Sequence, residues 1–159
     1  MSGVRIREMS GGDLDAARAI ASDLKDAPHW PRSAYEVVMD PVARPERVAL
    51  VAEDEERAVC GFAVAALVSD TEAELESIAV EEKRQRQGIA RSLFRELSMR
   101  MCERGIEDVL LEVRESNSAA QAFYRAEGFL ISGRRPAYYS NPPDDALVMR
   151  KRLPGAKRP

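Results

Sequence analysis

Cysteine and histidine are nearly missing from this 159-residue chain: two of the first, Cys60 and Cys102, and one of the second, His29. Both cysteines sit in apolar-periodic segments and form no C-x-x-C pair, so they read as reduced core thiols. His29 has neither a cysteine nor a second histidine at ligand spacing, which argues against metal chemistry. No run approaches the ~18 apolar residues of a membrane span, and the N-terminal MSGVRIREMSGGDLD lacks the apolar centre of a secretory signal. The expected compartment is therefore the cytoplasm, away from any membrane. A basic excess is missing too: 24 Lys and Arg stand against 27 Asp and Glu, a net charge of −3. That excludes a general nucleic-acid binder and leaves room only for a local basic patch. Length bounds the rest, because one domain of this size buries a core without disulfides or metal.

Periodicity orders the chain. Residues 4–9 alternate at period 2 and predict a strand. Leu14, Ala17, Ile20, Ala21 and Leu24 form one helical stripe behind an Asp13 cap, predicting a helix through residue 25. Prolines 28, 31 and 41 bracket a loop and a short helix at 33–39. The aromatics of that loop, Trp30 and Tyr35, fit a small core satellite and a substrate lip equally well. Two Val- and Ala-rich strands follow around an acidic turn, at 47–53 and 58–68, then a third at 72–80. A helix at 88–104 presents Ile89, Leu93, Phe94, Leu97 and Met101 on one face and ends at Gly105. A strand at 108–114, a helix at 118–127, and strands at 129–135 and 145–152 complete the order. Residues 1–153 should make one domain, with 154–159 a loose tail. The sequence of elements implies a mixed sheet packed by helices, with parallel pairing across the strand, crossover helix and strand of 72–114.

The most informative stretch is KRQRQGIARSLFREL, residues 83–97. It gathers cations at a helix start, where the backbone already carries about half a positive charge. A bound anion resolves the conflict: first-turn N–H groups point outward together, and a glycine lets a ligand approach the backbone closely. A pyrophosphate suits that geometry, with Arg86 and Arg91 adding charge-assisted hydrogen bonds. A solvated cationic turn with a permissive glycine fits the segment as well when it is taken alone.

Two motifs carry a resemblance. Residues 85–90, QRQGIA, resemble the (Arg/Gln)-x-x-G-x-(Gly/Ala) signature of the GNAT superfamily of N-acetyltransferases, between an apolar strand ending IAV and a long helix. LLEVRESNSAAQAFYRAEGF follows at the family's spacing, and the two together resemble the RimI-type branch, which acetylates the N-terminal alanine of small-subunit ribosomal protein eighteen. The resemblance covers residues 47–153 and is strongest over 75–139. It implies an α/β (α+β) domain of GNAT fold, with a central mixed, mostly antiparallel sheet of six to seven strands flanked by about four helices. The implied cosubstrate is acetyl-CoA, whose pantetheine arm would pair with Ile78, Ala79 and Val80. Its pyrophosphate would lie on Arg86, Gln87, Gly88, Ile89, Ala90 and Arg91, with Asn117 a further contact. The implied base and acid are Glu112 and Tyr124. The implied partner is a protein or peptide N-terminus, ribosomal in origin. Its acceptor cleft would be aromatic and acidic, with Trp30, Tyr35, Tyr138 and Tyr139 as candidate contacts beside Asp144 and Asp145. RimI-type relatives often carry Pro-Trp-Ser in the N-terminal loop; here the order is HWPRSAY.

Read without the family, Glu112 interrupts an apolar strand and shares a face with Leu110 and Arg114, as an outward-facing strand glutamate would. Tyr124 lies mid-helix beside Phe123, where a core tyrosine is the default. The reaction makes both intelligible. An amine must be neutral to attack a thioester, and an α-amino group has a reference pKa of roughly 7.7 to 8.0 against about 10.4 for lysine. A carboxylate can take that proton, and a tyrosine hydroxyl can supply one to the departing sulfur. Because direct transfer needs no enzyme nucleophile, the lack of a Cys/His pair is no obstacle. Rival expectations are a small-molecule or lysine acetyltransferase, and an acyl-CoA-binding regulator without turnover.

Overall fold

The computed structural model describes residues 3–155, and in them the chain builds one seven-stranded sheet with helices on both faces. Strands β1 (Arg5–Glu8), β2 (Glu46–Glu53), β3 (Val59–Leu67), β4 (Glu72–Val80), β5 (Asp108–Arg114), β6 (Leu130–Ser140) and β7 (Pro143–Arg152) lie in the order β1-β2-β3-β4-β5-β7-β6. Every pairing is antiparallel except β4 with β5. That exception follows from the connection: α3 (Ile89–Glu103) carries the chain back over the sheet so that β5 starts at the same end as β4.

Alternation along the strands sorts residues between two cores. On one face Leu50, Ala63, Leu75, Leu111, Val113 and Met149 meet α3 through Ile89, Leu93, Phe94, Leu97 and Met101, all buried. The helix α4 (Ser118–Ala126) adds Phe123 and Tyr124 to the rim of that core, and Phe129 lies 5.5 Å from Phe94 by ring centroids. On the other face Val51, Phe62, Val64 and Ala79 are covered by α1 (Leu14–Ser22) and α2 (Arg32–Met39). Helix α1 ends at Ser22, three residues short of the expected end. The chain turns there toward Pro28, and Leu24 still packs against the second core.

The largest departure from expectation is at the C-terminal hairpin. Strand β6 runs on to Ser140 and β7 starts at Pro143, whereas the prolines at 136, 142 and 143 argue for a loop. An edge strand tolerates proline because one row of its N–H groups faces solvent. The register also breaks: Arg135 pairs with Ala146 and Tyr139 with Asp144, so three residues of β6, 136–138, bulge against one of β7. Of the expected tail at 154–159, residues 156–159 lie outside the described residues. The carbonyl of Pro154 accepts from the Cys102 thiol.

Candidate active site

The site begins where two strands separate. β4 and β5 pair only over Glu72–Glu74 and Asp108–Leu110. Beyond that point, residues 75–80 of β4 have no strand beside them on the β5 edge. A bulge at Glu76, where Val64 pairs with Ser77 but Ala65 with Leu75, turns β4 further. The expected pantetheine contacts Ile78, Ala79 and Val80 lie on this open stretch, with Val80's carbonyl already accepting from Gln85 Nε2 at 3.0 Å.

Past β4 the chain makes a short turn and enters α3 through Gly88, the N-cap residue, whose φ of +83° is one that glycine adopts freely. A β-carbon placed there meets nothing within 4 Å, so the ground above the glycine is open. The first intrahelical bond runs from Ser92 N–H to the Gly88 carbonyl, which leaves the N–H groups of Ile89, Ala90 and Arg91 without helical partners. Arg86 is exposed and has no hydrogen bond or ion pair among the described residues, while Gln87 accepts from Arg84. Arg91 leans on the buried Glu127, 3.6 Å away, with more than half its side chain still exposed. Open backbone, free N–H groups and an uncommitted arginine fit a pyrophosphate, and with the parted strands they fit an elongated acyl-CoA. Asn117 caps α4, its Oδ1 accepting from Ala120 N–H. Its side-chain amide N–H groups keep no partner among the described residues.

On the face away from α3, the fork holds Glu112, the expected base. Glu112 pairs across to Val148 on β7, beyond which lies β6. The β6 bulge sends two side chains back over β7: Tyr138 donates its hydroxyl to Glu112 Oε1 at 2.9 Å, and Arg135 forms an ion pair with Oε2. That hydrogen bond to a carboxylate pushes the Tyr138 phenol up. Both oxygens of Glu112 are thus oriented, each with a lone pair to spare. Tyr139 lies beside Tyr138, 5.0 Å between ring centroids, and Arg114 stacks 4.2 Å from the Tyr139 ring. Asp144 and Asp145 are tied up locally, the first by Ser116 and the second by Arg134 and Ala137 N–H.

Tyr124 sits on α4 between Phe123 and Phe129, at centroid separations of 5.5 and 5.6 Å. Its hydroxyl has no hydrogen-bond partner among the described residues, and burial pushes its pKa up to about 12. A phenol in that setting keeps its proton at neutral pH and is a donor in search of an acceptor.

One expectation needs correction. Tyr35 is 1 % exposed and stacked between Trp30 and Phe62 in the core under α1 and α2, so it belongs to the packing rather than to a substrate lip. Its ring fills the gap between α2 and the sheet, a task the helical spacing of Tyr35 and Val38 already hinted at. Trp30 remains half-buried at the rim of a cavity of about 290 Å³ that Arg18, His29 and Pro31 also line. Two residues escaped the sequence reading. Arg135 was only the end of a strand, and nothing local signals that it crosses a neighbouring strand. Glu74 had a usable signal, since Glu72, Glu74 and Glu76 alternate along β4 and share a side before the bulge.

A family model described as the acetyltransferase (GNAT) family matches residues 15–129. The chain belongs to that family. The Escherichia coli (strain K12) protein named ribosomal protein bS18-alanine N-acetyltransferase is 40% identical over 93 residues, 57% of this chain and 62% of that relative's length. The crystal structure of the ribosomal-protein-S18-alanine N-acetyltransferase from Escherichia coli superposes with a TM-score of 0.82 at 29% identity, covering 98% of this chain and 97% of that one. The structure of Ard1 from Thermoplasma volcanium gives 0.84 at 28% identity, over 96% and 99%.

Proposed function

We propose that this enzyme transfers acetyl from acetyl-CoA to the α-amine of a protein N-terminus, with the N-terminal alanine of ribosomal protein S18 as the acceptor. The observation that carries the reading is the fork between β4 and β5. It places an oriented carboxylate, Glu112, on the sheet next to strand edges free for an acyl-CoA, and the phosphate cradle at Gly88 completes the cofactor side. The similarity to the Escherichia coli alanine acetyltransferase supports the choice of acceptor.

When bound, the cosubstrate supplies an activated acetyl thioester; the chain supplies position and protons. Arg86, Arg91 and the first-turn N–H groups of α3 hold the pyrophosphate, and the open edge of β4 at Ile78–Val80 aligns the arm toward Glu112. A backbone N–H of that edge would meet the oxyanion of the transition state. Glu112 takes a proton from the acceptor amine, directly or through a water, while Tyr138 and Arg135 keep its carboxylate from swinging. Tyr124 donates its hydroxyl to the departing sulfur. With its pKa at about 12 against a reference of about 8.5 for a thiol, it acts by hydrogen-bond donation more than by full proton transfer. Tyr138 and Tyr139 border the face on which the acceptor would approach Glu112, and Trp30 lines a separate cavity beside α1 and α2.

CoA release tests the reading. The acceptors are an Ala-Arg-Tyr-Phe peptide, the same peptide blocked at its N-terminus, an N-blocked lysine peptide, spermidine, and none. Turnover confined to the free N-terminus is the expected result. Turnover of spermidine or lysine alone moves the enzyme to another acceptor class, and binding of acetyl-CoA without turnover makes it a regulator.

A further inference from the structure

Three carboxylates share the sheet face at the fork, Glu74, Glu76 and Glu112, and two of them are neutralised. Arg47 on β2 grips both oxygens of Glu76, at 3.0 and 3.1 Å. Arg135 on β6 holds Glu112. Glu74 has no hydrogen bond or ion pair among the described residues; burial, with Glu112 and Glu76 close by, pushes its carboxyl up, against the pull of Arg135 and Arg47. The remaining charge there is Arg114, which stacks on Tyr139 and donates to the carbonyls of Pro142 and Asn141. Tyr138 and Tyr139 complete the titratable groups around Glu112. The face therefore sets three guanidinium groups, Arg47, Arg135 and Arg114, against three carboxylates, where three carboxylates alone would invite any polycation.

Arg135 is the adjustable part of this balance. It reaches Glu112 across a whole strand, and it has two side-chain contacts among the described residues: that carboxylate, and the Tyr138 ring at 5.9 Å. Its side chain is 59% exposed, so neither packing nor a buried network demands an arginine at this position.

We propose that Arg135 is the specificity-determining residue of the acceptor site, admitting α-amines and disfavouring lysine side chains and polyamines by holding a positive charge against Glu112 where a cationic amine would dock. The proposal rests on the α-amine reading given above and deepens it. At neutral pH about a tenth of a free α-amine is neutral, but under a thousandth of a lysine amine, so an α-amine can dock uncharged at a roughly tenfold cost whereas a lysine amine docks almost wholly as a cation. A like charge beside the docking point penalises that class selectively, and the same charge eases proton loss from an α-ammonium that does bind.

The test compares wild type with Arg135→Gln, Arg135→Met and Arg135→Lys on the alanine-starting peptide, the N-blocked lysine peptide and spermidine, with acetyl-CoA Kd measured on each preparation. The neutral variants should raise kcat/KM for spermidine and lysine relative to the α-amine roughly fivefold, the scale of one partly exposed charge contact, through KM more than kcat. Arg135→Lys should keep the wild-type ratio. An unchanged ratio in a variant that binds acetyl-CoA normally overturns the proposal, as does an equal loss on all acceptors, which would make Arg135 a holder of Glu112 alone. A wild type that prefers spermidine would instead bring down the α-amine reading itself.

Discussion

At the β1 edge Arg7 lies between two carboxylates, donating to both oxygens of Asp13 at 2.8 and 2.9 Å and to Glu53 at 2.9 Å. Ser10 adds a backbone N–H and a hydroxyl to Asp13. At the far side of the sheet Arg135 meets Glu112, with Glu74 nearby and unpartnered. The ingredients are the same and the degree of satisfaction differs. Asp13 is buried with four hydrogen bonds on its two oxygens, and Glu53 is buried against Arg7, which suits charges that hold β1, the following turn and β2 together. The second cluster stays accessible and keeps acceptor capacity in reserve, as the proposed proton transfer to Glu112 would require. Accessibility, more than the presence of charge, separates the two clusters: the Asp13 and Glu53 carboxylates are buried and the Glu112 carboxylate is not.

The sharpest way to strain that comparison is Glu112→Gln. Turnover should fall by about 10² or more, most severely at low pH, with partial recovery as rising pH delivers neutral amine. A pH-independent loss would make Glu112 a positioning group and blur the distinction between the clusters. Next is Tyr124→Phe, which keeps the ring against Phe123 and Phe129 and removes an unpartnered hydroxyl. The kcat should drop about 10²-fold with acetyl-CoA Kd and melting temperature near wild type, because no hydrogen bond within the protein is lost. Reduced stability with normal kcat would return Tyr124 to the core.

Smaller effects follow on the cofactor side and at the structural cluster. Gly88→Val puts a branched side chain into open ground and strains a positive φ, so acetyl-CoA affinity by calorimetry should weaken about tenfold or more while the fold persists. Unchanged affinity would remove the phosphate cradle. Asp13→Asn should leave kcat alone and lower unfolding free energy by about 1.5 to 3 kcal/mol at neutral pH, the range for hydrogen bonds to a charged group. Arg7 holds the Asp13 carboxyl below its usual value of 3.8. The sign is fixed by that direction: the stabilisation is complete above about pH 4 and is lost as pH falls through the lower folded value. The gap between wild type and variant in urea melts should be flat from pH 7 to 5 and close below pH 4. A gap that widened in acid would contradict the assignment.

The sequence by itself determined most of the elements and the expected place of the cofactor loop. Apolar spacing placed α3, and Gly88 after a basic turn marked its N-cap, since a helix start and a phosphate cradle are made of consecutive residues. The strand–helix–strand order required the parallel pair of β4 and β5, because a crossover helix permits little else. Tertiary structure alone decided the surroundings of Glu112. Residues 112 and 135 are 23 positions apart on strands that are not neighbours, and they meet across β7 beside a three-residue bulge that no periodicity encodes. Tyr35 went the other way, from a candidate contact to a 1 % exposed core ring, because burial depends on which helix covers which face. Local chemistry is written in adjacent residues, whereas a balance of charges across three strands exists only after the sheet has brought its register together.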